Sequence, residues 1–276
     1  MHSCGLLTIM LLADAVEMFS WQPKTFPSKG KGRYSYSSTL LRRNEQDINF
    51  FKGVSQFLYQ GDIAMTAEQV RQRGRRAVTR DRRAKWSLPL PYYFDSNFPP
   101  QGRERVLEAM RYWSEKTCVT FREDRRQRGN VRIFQGSGCW SYVGRQYRLF
   151  SQPLSLDVSC THHLFVVAHE LAHALGLYHE HARSDRDRYI SIDYSNTNAN
   201  LTFAFNKEDS STTDNLGTSY EYGSVMHYAL DQFARDASRP VIYAKDRKYE
   251  RSMGNRMRAT FQDILQMNLL YNCNGW

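Results

Sequence analysis

The chain has 276 residues, of which 41% are hydrophobic and 24% are charged, and its formal net charge is +10. This length suffices for one large domain with extensions. After the first fifteen residues, no stretch is apolar over the roughly 18 residues that a membrane helix needs, which argues against an integral helical membrane protein.

The chain begins with an apolar stretch of the kind that directs secretion. A short apolar run at residues 5–12 is followed by Ala13-Asp14-Ala15, which fits an A-x-A cleavage sequence. No Lys or Arg precedes the run, and the run is far too short to span a bilayer. We therefore predict a signal peptide at residues 1–15 and a secreted, extracellular product.

Residues 16–76 form a basic segment, with eleven Lys and Arg against five Asp and Glu. Residues 21–38 are rich in Pro, Gly, Lys and Ser, which is typical of poorly ordered chain. The segment ends in Arg73-Gly74-Arg75-Arg76, which fits a furin-like processing site, with cuts after Arg80 or Arg83 as alternatives. We predict that residues 16–76 are a propeptide and that residues 77–276 form the main domain.

Patterns after residue 77 predict an α+β domain. Runs of apolar, β-branched and aromatic residues predict short strands at residues 88–95, 118–123, 131–135, 140–144 and 154–157. A helix is expected after Pro99-Pro100, with Val106, Met110 and Trp113 on its core face because they recur at helical spacing.

The second half of the chain is expected to be mostly irregular. Beyond residue 179 it is rich in Asn, Ser, Thr and Asp, and it ends in a predicted helix at residues 260–271. Thr260 and Asp263 resemble a capping pair at the start of that helix. Asn200-Leu201-Thr202 matches the N-glycosylation sequon.

The stretch HELAHALGLYHE, residues 169–180, has metal-ligand spacing. His169 and His173 are four residues apart, so they lie on one face of a helix, opposite an apolar stripe. Gly176 ends the helix, because glycine readily adopts the left-handed conformation needed there, and the turned chain can bring His179 back toward the pair. Three neutral imidazoles around one point are the ligand set of a catalytic zinc site.

Glu170 adjoins this ligand set and is a candidate general base. Zinc lowers the pKa of a bound water to about 7, so a neighbouring carboxylate can take its proton at neutral pH. A buried helix whose histidines merely bond to backbone is the competing explanation. However, the chance of H-E-x-x-H-x-x-G-x-x-H in a chain of this length is on the order of 1 in 10⁵. With a following methionine turn, this motif is the metzincin signature.

Ser224-Val225-Met226-His227-Tyr228 follows as a candidate methionine turn. Together the two motifs resemble the astacin family of zinc metalloendopeptidases, in a minimal form with signal and propeptide. The resemblance covers residues 77–273 and includes EKTC at 115–118, GSGCWSYVGR at 136–145 and LLYNC at 269–273. It implies a metzincin-type catalytic domain of two subdomains, with a small mixed sheet, a zinc helix and a mostly irregular C-terminal half.

The same resemblance implies roles for two further features. Tyr228 would be an additional zinc ligand that swings away and donates to the oxyanion. The strand at 140–144 would lie at the cleft edge and pair with extended substrate, which is recognition by β-augmentation.

Four cysteines follow the predicted signal peptide, at positions 118, 139, 160 and 273. An even number in a secreted chain suggests two disulfides, but four cysteines allow three pairings and the sequence alone does not select one. The astacin pattern implies the pairs Cys139–Cys160 and Cys118–Cys273.

The stretch LYQGDIAMT, residues 58–66, lies near the end of the predicted propeptide. Astacin propeptides carry a similar F-x-G-D element, whose Asp occupies the water site of the zinc in the zymogen. Here Tyr59 replaces the Phe, while Gly61 and Asp62 match. Because a carboxylate is a good oxygen ligand for zinc, we predict that Asp62 is a metal ligand in the zymogen only. A plain Gly-Asp turn is the competing explanation.

Glu180 directly follows the third histidine. Cleavage after Arg76 would leave Ala77 as the new N-terminus, and in astacins the freed amino group meets the corresponding Glu through water. A buried carboxylate is costly unless it is paired, and an α-ammonium would provide that pairing. The competing explanation is a surface Glu that caps the histidine loop.

These observations predict a secreted zinc-dependent endopeptidase that is made as a zymogen. The predicted Zn²⁺ ligands are His169, His173 and His179. Glu170 is the predicted general base, and Tyr228 the predicted oxyanion donor. The alternative is a catalytically silent zinc-binding extracellular binding or matrix protein, but a purely structural site needs neither a base nor a latency element.

We expect protein or peptide substrates and a monomer, with neither nucleic acid nor a membrane as partner. The runs RQRGRR at 71–76 and REDRRQR at 122–128 have the composition of nucleic-acid patches. Processing explains the first run better. Interleaved acids interrupt the second, so we interpret it as a solvated loop.

Overall fold

A computed structural model describes residues 48–50, 52–66, 69, 82–210 and 213–275 of the chain. The predicted signal peptide, the processing site at residues 73–76, Arg80 and Ala77 lie outside this part. Among the described residues, no helix is both long enough and apolar enough to cross a membrane.

A six-stranded mixed sheet lies in the N-terminal half of the described structure. Its strands are β1 (Ile63–Ala64), β2 (Leu90–Phe94), β3 (Phe121–Glu123), β4 (Asn130–Phe134), β5 (Cys139–Tyr142) and β6 (Ser151–Leu156). The strand order is β1-β5-β6-β4-β2-β3, with β5 antiparallel to β6 and all other neighbours parallel. The five strands predicted from the sequence are confirmed, each within three residues of its predicted ends.

Strand β1 was not predicted, and it comes from the segment interpreted as propeptide. Ile63 pairs with Ser141 and Ala64 with Tyr142. Consequently β1 covers the side of β5 that would otherwise be the edge of the sheet.

Helices α1 (Pro100–Lys116) and α3 (Leu164–Leu175) share one apolar core with the sheet, and the short helix α2 (Val158–Thr161) precedes α3. Proline suits the first turn of α1, because the first amides of a helix have no partner within it. Val106, Met110 and Trp113 are buried, as predicted. The indole N–H of Trp113 donates to the carbonyl of Ala168 at 3.1 Å, which ties α1 to α3.

The chain beyond α3 is mostly irregular, as predicted. A two-stranded antiparallel sheet, β7 (Ile190–Ile192) with β8 (Ile242–Ala244), was not predicted. The last helix, α4 (Phe261–Tyr271), begins with the expected capping box. In that box Asp263 N donates to Thr260 Oγ1 at 3.3 Å, while Thr260 N donates to Asp263 Oδ2 at 2.7 Å.

Two disulfides join these elements. Cys118–Cys273 connects the chain after α1 to the chain after α4, and Cys139–Cys160 connects β5 to α2. This is the pairing that the astacin resemblance implied. The observed architecture therefore confirms the predicted α+β fold with a small mixed sheet, a histidine-bearing helix and an irregular C-terminal half.

Candidate metal centre and active site

Helix α3 carries His169, Glu170 and His173, all fully buried. The helix ends at Leu175, and Gly176 follows with a φ of 117°, a conformation in which a side chain would be strained. Its amide donates to the carbonyls of the last helical turn. The chain then reverses, as the sequence predicted.

The three predicted zinc ligands surround the carboxylate of Asp62. Its Oδ2 lies 3.2 Å from His169 Nε2 and 3.1 Å from His179 Nε2, and its Oδ1 lies 3.7 Å from His173 Nε2. Tetrahedral ligands at about 2.0–2.1 Å from a zinc ion are about 3.3–3.4 Å apart, so these separations suit an ion among the four side chains. All four are buried, and their ligand atoms lie within 4.8 Å of one another.

Hydrogen bonds orient each imidazole so that its Nε2 faces Asp62. Each Nδ1 bonds to an oxygen: His169 to Val225 O at 2.9 Å, His173 to Leu177 O at 2.8 Å, and His179 to Gln60 Oε1 at 2.8 Å. Because these oxygens only accept, Nδ1 carries the proton and Nε2 presents a lone pair. This is the tautomer that a metal ligand needs.

The protonation states also suit zinc. Burial lowers the pKa of His173 and lowers that of His179 to about 4, so both imidazoles are neutral at pH 7. Three neutral imidazoles and one carboxylate form a nitrogen and oxygen donor set that fits Zn²⁺.

A tight turn inserts Asp62 into the histidine cluster. The amides of Tyr59 and Ile63 donate to each other's carbonyls at 2.8 and 2.9 Å. Gly61 has a φ of 79°, and a Cβ at this position would lie 2.8 Å from the ring of Phe233. Only glycine fits there, which explains why glycine precedes Asp62.

The predicted oxyanion donor, Tyr228, is fully buried beside this turn. Its hydroxyl donates to the carbonyl of Gln60. Its ring stacks on His181, with ring centroids 3.7 Å apart and planes inclined by 25°. The position of His181 is held in turn by a bond between its Nε2 and Ala204 O at 3.1 Å. The sequence analysis did not single out Gln60 or His181.

Glu208 is a further residue of the site that the sequence analysis missed. It is buried, and its Oε1 accepts hydrogen bonds from the Tyr59 hydroxyl at 2.7 Å and from Gln60 Nε2 at 2.8 Å. Burial raises the pKa of Glu208, and these two bonds oppose the shift. No local pattern indicates this role, because Glu208 lies in a polar stretch far along the chain from both donors.

Glu180 is buried, so the competing explanation of a surface Glu is wrong. Its Oε1 accepts from Arg183 Nη1 at 3.1 Å and from the amide of Glu221 at 2.8 Å. Burial raises the pKa of Glu180 to about 8, against the opposing charge of Arg183. The i,i+3 spacing of Glu180 and Arg183 is the signal that could have identified this ion pair. Ala77, the predicted partner, lies outside the described residues.

The predicted methionine turn connects α4 to His169, the first predicted metal ligand. Ser224 Oγ donates to Asp263 Oδ1 at 2.5 Å, and Val225 N donates to Asp263 Oδ2 at 3.0 Å. The carbonyl of Val225 is the acceptor for His169 Nδ1. Met226 is buried in the core. Asp263, predicted only as a helix cap, therefore also holds the turn that orients His169.

Fold and donor set together define a zinc domain of the metzincin type. Residues 78–272 match the model of the Astacin peptidase family, and the chain belongs to this family.

The chain is similar to zinc metalloproteinases and meprins of animals. The chain is 63% identical over 235 residues to "Zinc metalloproteinase nas-27" of Caenorhabditis elegans, covering 85% of this chain and 54% of that protein. It is 32% identical over 229 residues to "Meprin A subunit beta" of Homo sapiens, covering 83% of this chain and 31% of that protein. The chain thus spans about half the length, or less, of these relatives.

A solved structure shares the fold. The high choriolytic enzyme 1 (HCE-1) of Oryzias latipes, a hatching enzyme zinc-protease, superposes with a TM-score of 0.63 at 34% identity. The superposition covers 69% of this chain and 94% of that structure.

Proposed function

We propose that this protein is a secreted zinc-dependent endopeptidase that is made as a zymogen and acts on proteins or peptides. The observation that carries the proposal is the carboxylate of Asp62 seated among the Nε2 atoms of the three histidines, with Glu170 beside them on α3. The names of nas-27 and HCE-1, a zinc metalloproteinase and a zinc-protease, describe the same chemistry in related chains.

In the proposed reaction, the three histidines hold zinc and Glu170 moves the proton. Zinc, when bound there, polarises the scissile carbonyl and lowers the pKa of water. The carboxylate of Glu170 takes a proton from the attacking water and passes it to the leaving amine. The hydroxyl of Tyr228, once separated from the carbonyl of Gln60, donates to the carbonyl oxygen as negative charge develops on it.

Strand β5 is the proposed platform for the substrate. Removal of residues 16–76 would take away β1 and leave the backbone of residues 139–142 able to pair with an extended peptide. Such pairing recognises the backbone more than side chains. In the precursor, β1 occupies this edge and Asp62 occupies the metal centre, which supports latency of the uncleaved chain.

Hydrolysis of casein by the purified precursor tests this function. We expect activity to rise after trypsin treatment and to disappear with a zinc chelator. Asp62→Ala should give the untreated precursor measurable activity or faster self-conversion, whereas the control Gln56→Ala, at an exposed site in the same segment, should stay silent. Absence of hydrolysis under every condition would favour the silent binding protein, and a silent Asp62→Ala precursor would show that latency is purely steric.

Processing after Arg76 would also supply a partner for Glu180. The carboxylate of Glu180 is buried beside Arg183, and an α-ammonium at Ala77 would add a second positive charge. Chains engineered to begin at Ala77, Arg80 or Ala84 should therefore differ in thermal stability, with the Ala77 form the most stable. Equal melting temperatures, or no effect of Glu180→Gln on the Ala77 form, would overturn this pairing.

A further inference from the structure

Three segments that are far apart in the sequence meet beside β5. We call residues 82–85, 125–130 and 145–150 the basic face. They contain Arg82, Arg83, Lys85, Arg125, Arg126, Arg128, Arg145 and Arg148, and they contain no Asp or Glu.

Direct contacts join the three segments into one surface. The amide of Arg145 donates to the carbonyl of Ala84 at 2.7 Å, and the amide of Gly129 donates to the carbonyl of Phe150, also at 2.7 Å. The guanidinium of Arg145 lies against Gly129. The cations of two segments also converge on one ring, since the guanidinium carbons of Arg83 and Arg148 lie 4.6 and 5.6 Å from the ring centroid of Tyr147.

Most side chains of the basic face are exposed to solvent. Arg145 and Lys85 are half-buried, and the other six cations are exposed. Within the described part of the chain, no ion pair involves Arg126, Arg128 or Arg145. Two acidic residues directly precede segment 125–130. Glu123 is exposed, and Asp124 Oδ1 accepts from the amides of Arg126 and Gln127 at 3.0 and 3.1 Å. Exposed cations of one sign produce a field that attracts polyanions.

We propose that the basic face binds a sulfated polysaccharide chain. Seven of its eight cations are arginines, whose planar forked guanidinium donates two parallel hydrogen bonds to anionic oxygens such as those of sulfate. The two disulfides are typical of an oxidising compartment, where flexible polyanions are sulfated polysaccharides rather than nucleic acids.

The position of the basic face suggests the consequence of binding. The amide of Gly144, one residue before Arg145, donates to the carbonyl of the metal ligand His173 at 2.9 Å. A polysaccharide on this face would therefore hold the protein with its metal centre close to the bound chain. Residues 125–128, part of the run at 122–128 that was interpreted from the sequence as a solvated loop, belong to one of the three segments of this surface.

Binding to heparin, a sulfated polysaccharide, tests the proposal. The experiment uses the full chain with the substitution Glu170→Gln. This substitution prevents self-digestion, so the binding result does not depend on peptidase activity. Replacing Arg125, Arg126 and Arg128 with Ser should lower the slope of log Kd against log [NaCl] by about three, roughly one per lost cation. Replacing Arg82, Lys85 and Arg145 with Ser should have the same effect, so a folding defect in one triple variant leaves the other as a test.

The matched control replaces Arg247, Lys248 and Arg251 with Ser, which removes the same charge from an exposed surface where acids are present. Arg247 Nε lies 3.7 Å from Glu250 Oε1, and Lys248 Nζ lies 2.6 Å from Asp246 Oδ2. We expect this variant to bind heparin like the parent. Equal losses in the control and in the basic-face variants would show an effect of net charge alone and overturn the proposal.

Competition identifies the class of polyanion. Free heparin should displace the protein from immobilised heparin. Desulfated heparin, poly-glutamate and duplex DNA, each at equal charge concentration, should not. Displacement by poly-glutamate or by DNA as effective as that by heparin would overturn the polysaccharide assignment, in favour of an acidic polypeptide or a nucleic acid.

Discussion

Gln60, in the predicted propeptide, bonds through three of its atoms to His179, Tyr228 and Glu208. Oε1 bonds to Nδ1 of His179, the main-chain carbonyl accepts from the hydroxyl of Tyr228, and Nε2 donates to Glu208. One residue thus fixes a predicted metal ligand, the candidate oxyanion donor and a buried carboxyl. Removal of the predicted propeptide would change the surroundings of all three groups at once, so activation would alter the site beyond the loss of Asp62.

At Glu170, we expect Glu170→Gln to retain zinc at a near-stoichiometric level while turnover falls by about 10²–10⁴-fold or more, because an amide cannot accept the proton. Metal analysis and peptide hydrolysis of the trypsin-treated chain measure the two effects. Glu123→Gln, an exposed carboxyl, is the control and should leave both unchanged. Loss of metal, or retention of substantial activity, would contradict the assigned role.

Glu208 makes the stability of the precursor depend on pH. Burial raises the pKa of its carboxyl above the ordinary 4.5, so the folded state binds more protons than the unfolded state over the pH range between the two values. Stability therefore falls as the pH rises from 4.5 through the folded pKa. Glu208→Gln keeps an oxygen acceptor for Tyr59 and Gln60 but does not ionise.

Accordingly, the free energy of unfolding of Glu208→Gln, relative to its parent, should increase between pH 4.5 and pH 8. Urea unfolding of both chains in a Glu170→Gln background measures this difference, with Glu123→Gln as the control. A constant difference across this pH range would show that the Glu208 carboxyl does not cause the pH dependence.

Helix α4 acts on the metal centre through a single side chain. The carboxylate of Asp263 caps the helix at Thr260 and also accepts from Ser224 Oγ and Val225 N. Because the Val225 carbonyl orients His169, the N-terminus of α4 and the first predicted zinc ligand are two hydrogen-bonded steps apart. An element at the end of the chain thereby contributes to the geometry of a site built on α3.

Two substitutions separate the capping role of this carboxylate from its second role. Thr260→Ala removes the cap and one hydroxyl donor to Asp263 Oδ2, leaves the bonds of Asp263 with Ser224 and Val225 in place, and should cost about 1 kcal/mol of unfolding free energy. Asp263→Ala should cost more, because each buried donor that it leaves without a partner adds about 1–3 kcal/mol. Only Asp263→Ala should also weaken zinc binding, measured by competition with a chelator. Equal zinc affinity in both variants would refute the link to His169.

Across the whole molecule, the two disulfides constrain the unfolded chain to different degrees. Cys118 and Cys273 are separated by 155 residues, whereas Cys139 and Cys160 are separated by 21. In the chain-entropy model, stabilisation grows with the logarithm of loop length, which gives about 5 kcal/mol for the first and about 3 kcal/mol for the second. The longer link also joins α4 to the part of the chain that contains the sheet.

Removing each disulfide by a double Cys→Ala substitution tests this difference. We expect the Cys118–Cys273 variant to lose about 2 kcal/mol more unfolding free energy than the Cys139–Cys160 variant. Urea unfolding in the Glu170→Gln background measures both losses, each relative to the same parent. An equal or larger loss for the shorter loop would contradict an entropic origin and indicate that local packing dominates.

Local features of this protein could be predicted from the sequence because their causes lie within a few residues. The histidine pair depends on helical spacing, the break at Gly176 on glycine's access to positive φ, and the cap at Thr260 on a residue three positions away. The short strands follow from runs of apolar and aromatic residues. The disulfide pairing came from the family resemblance, since four cysteines alone allow three pairings.

Other features depend on residues that only the folded chain brings together. His179 is oriented by Gln60, 119 positions away, and His169 by Val225, 56 positions away. Backbone carbonyls have no sequence signature, and no helical or strand period relates such distant positions. The basic face arises in the same way, because strand pairing and backbone hydrogen bonds place 82–85, 125–130 and 145–150 side by side. The electrostatic potential at a surface depends on which charges are neighbours in space and not on their order along the chain. Each segment by itself therefore has the sequence of a solvated loop.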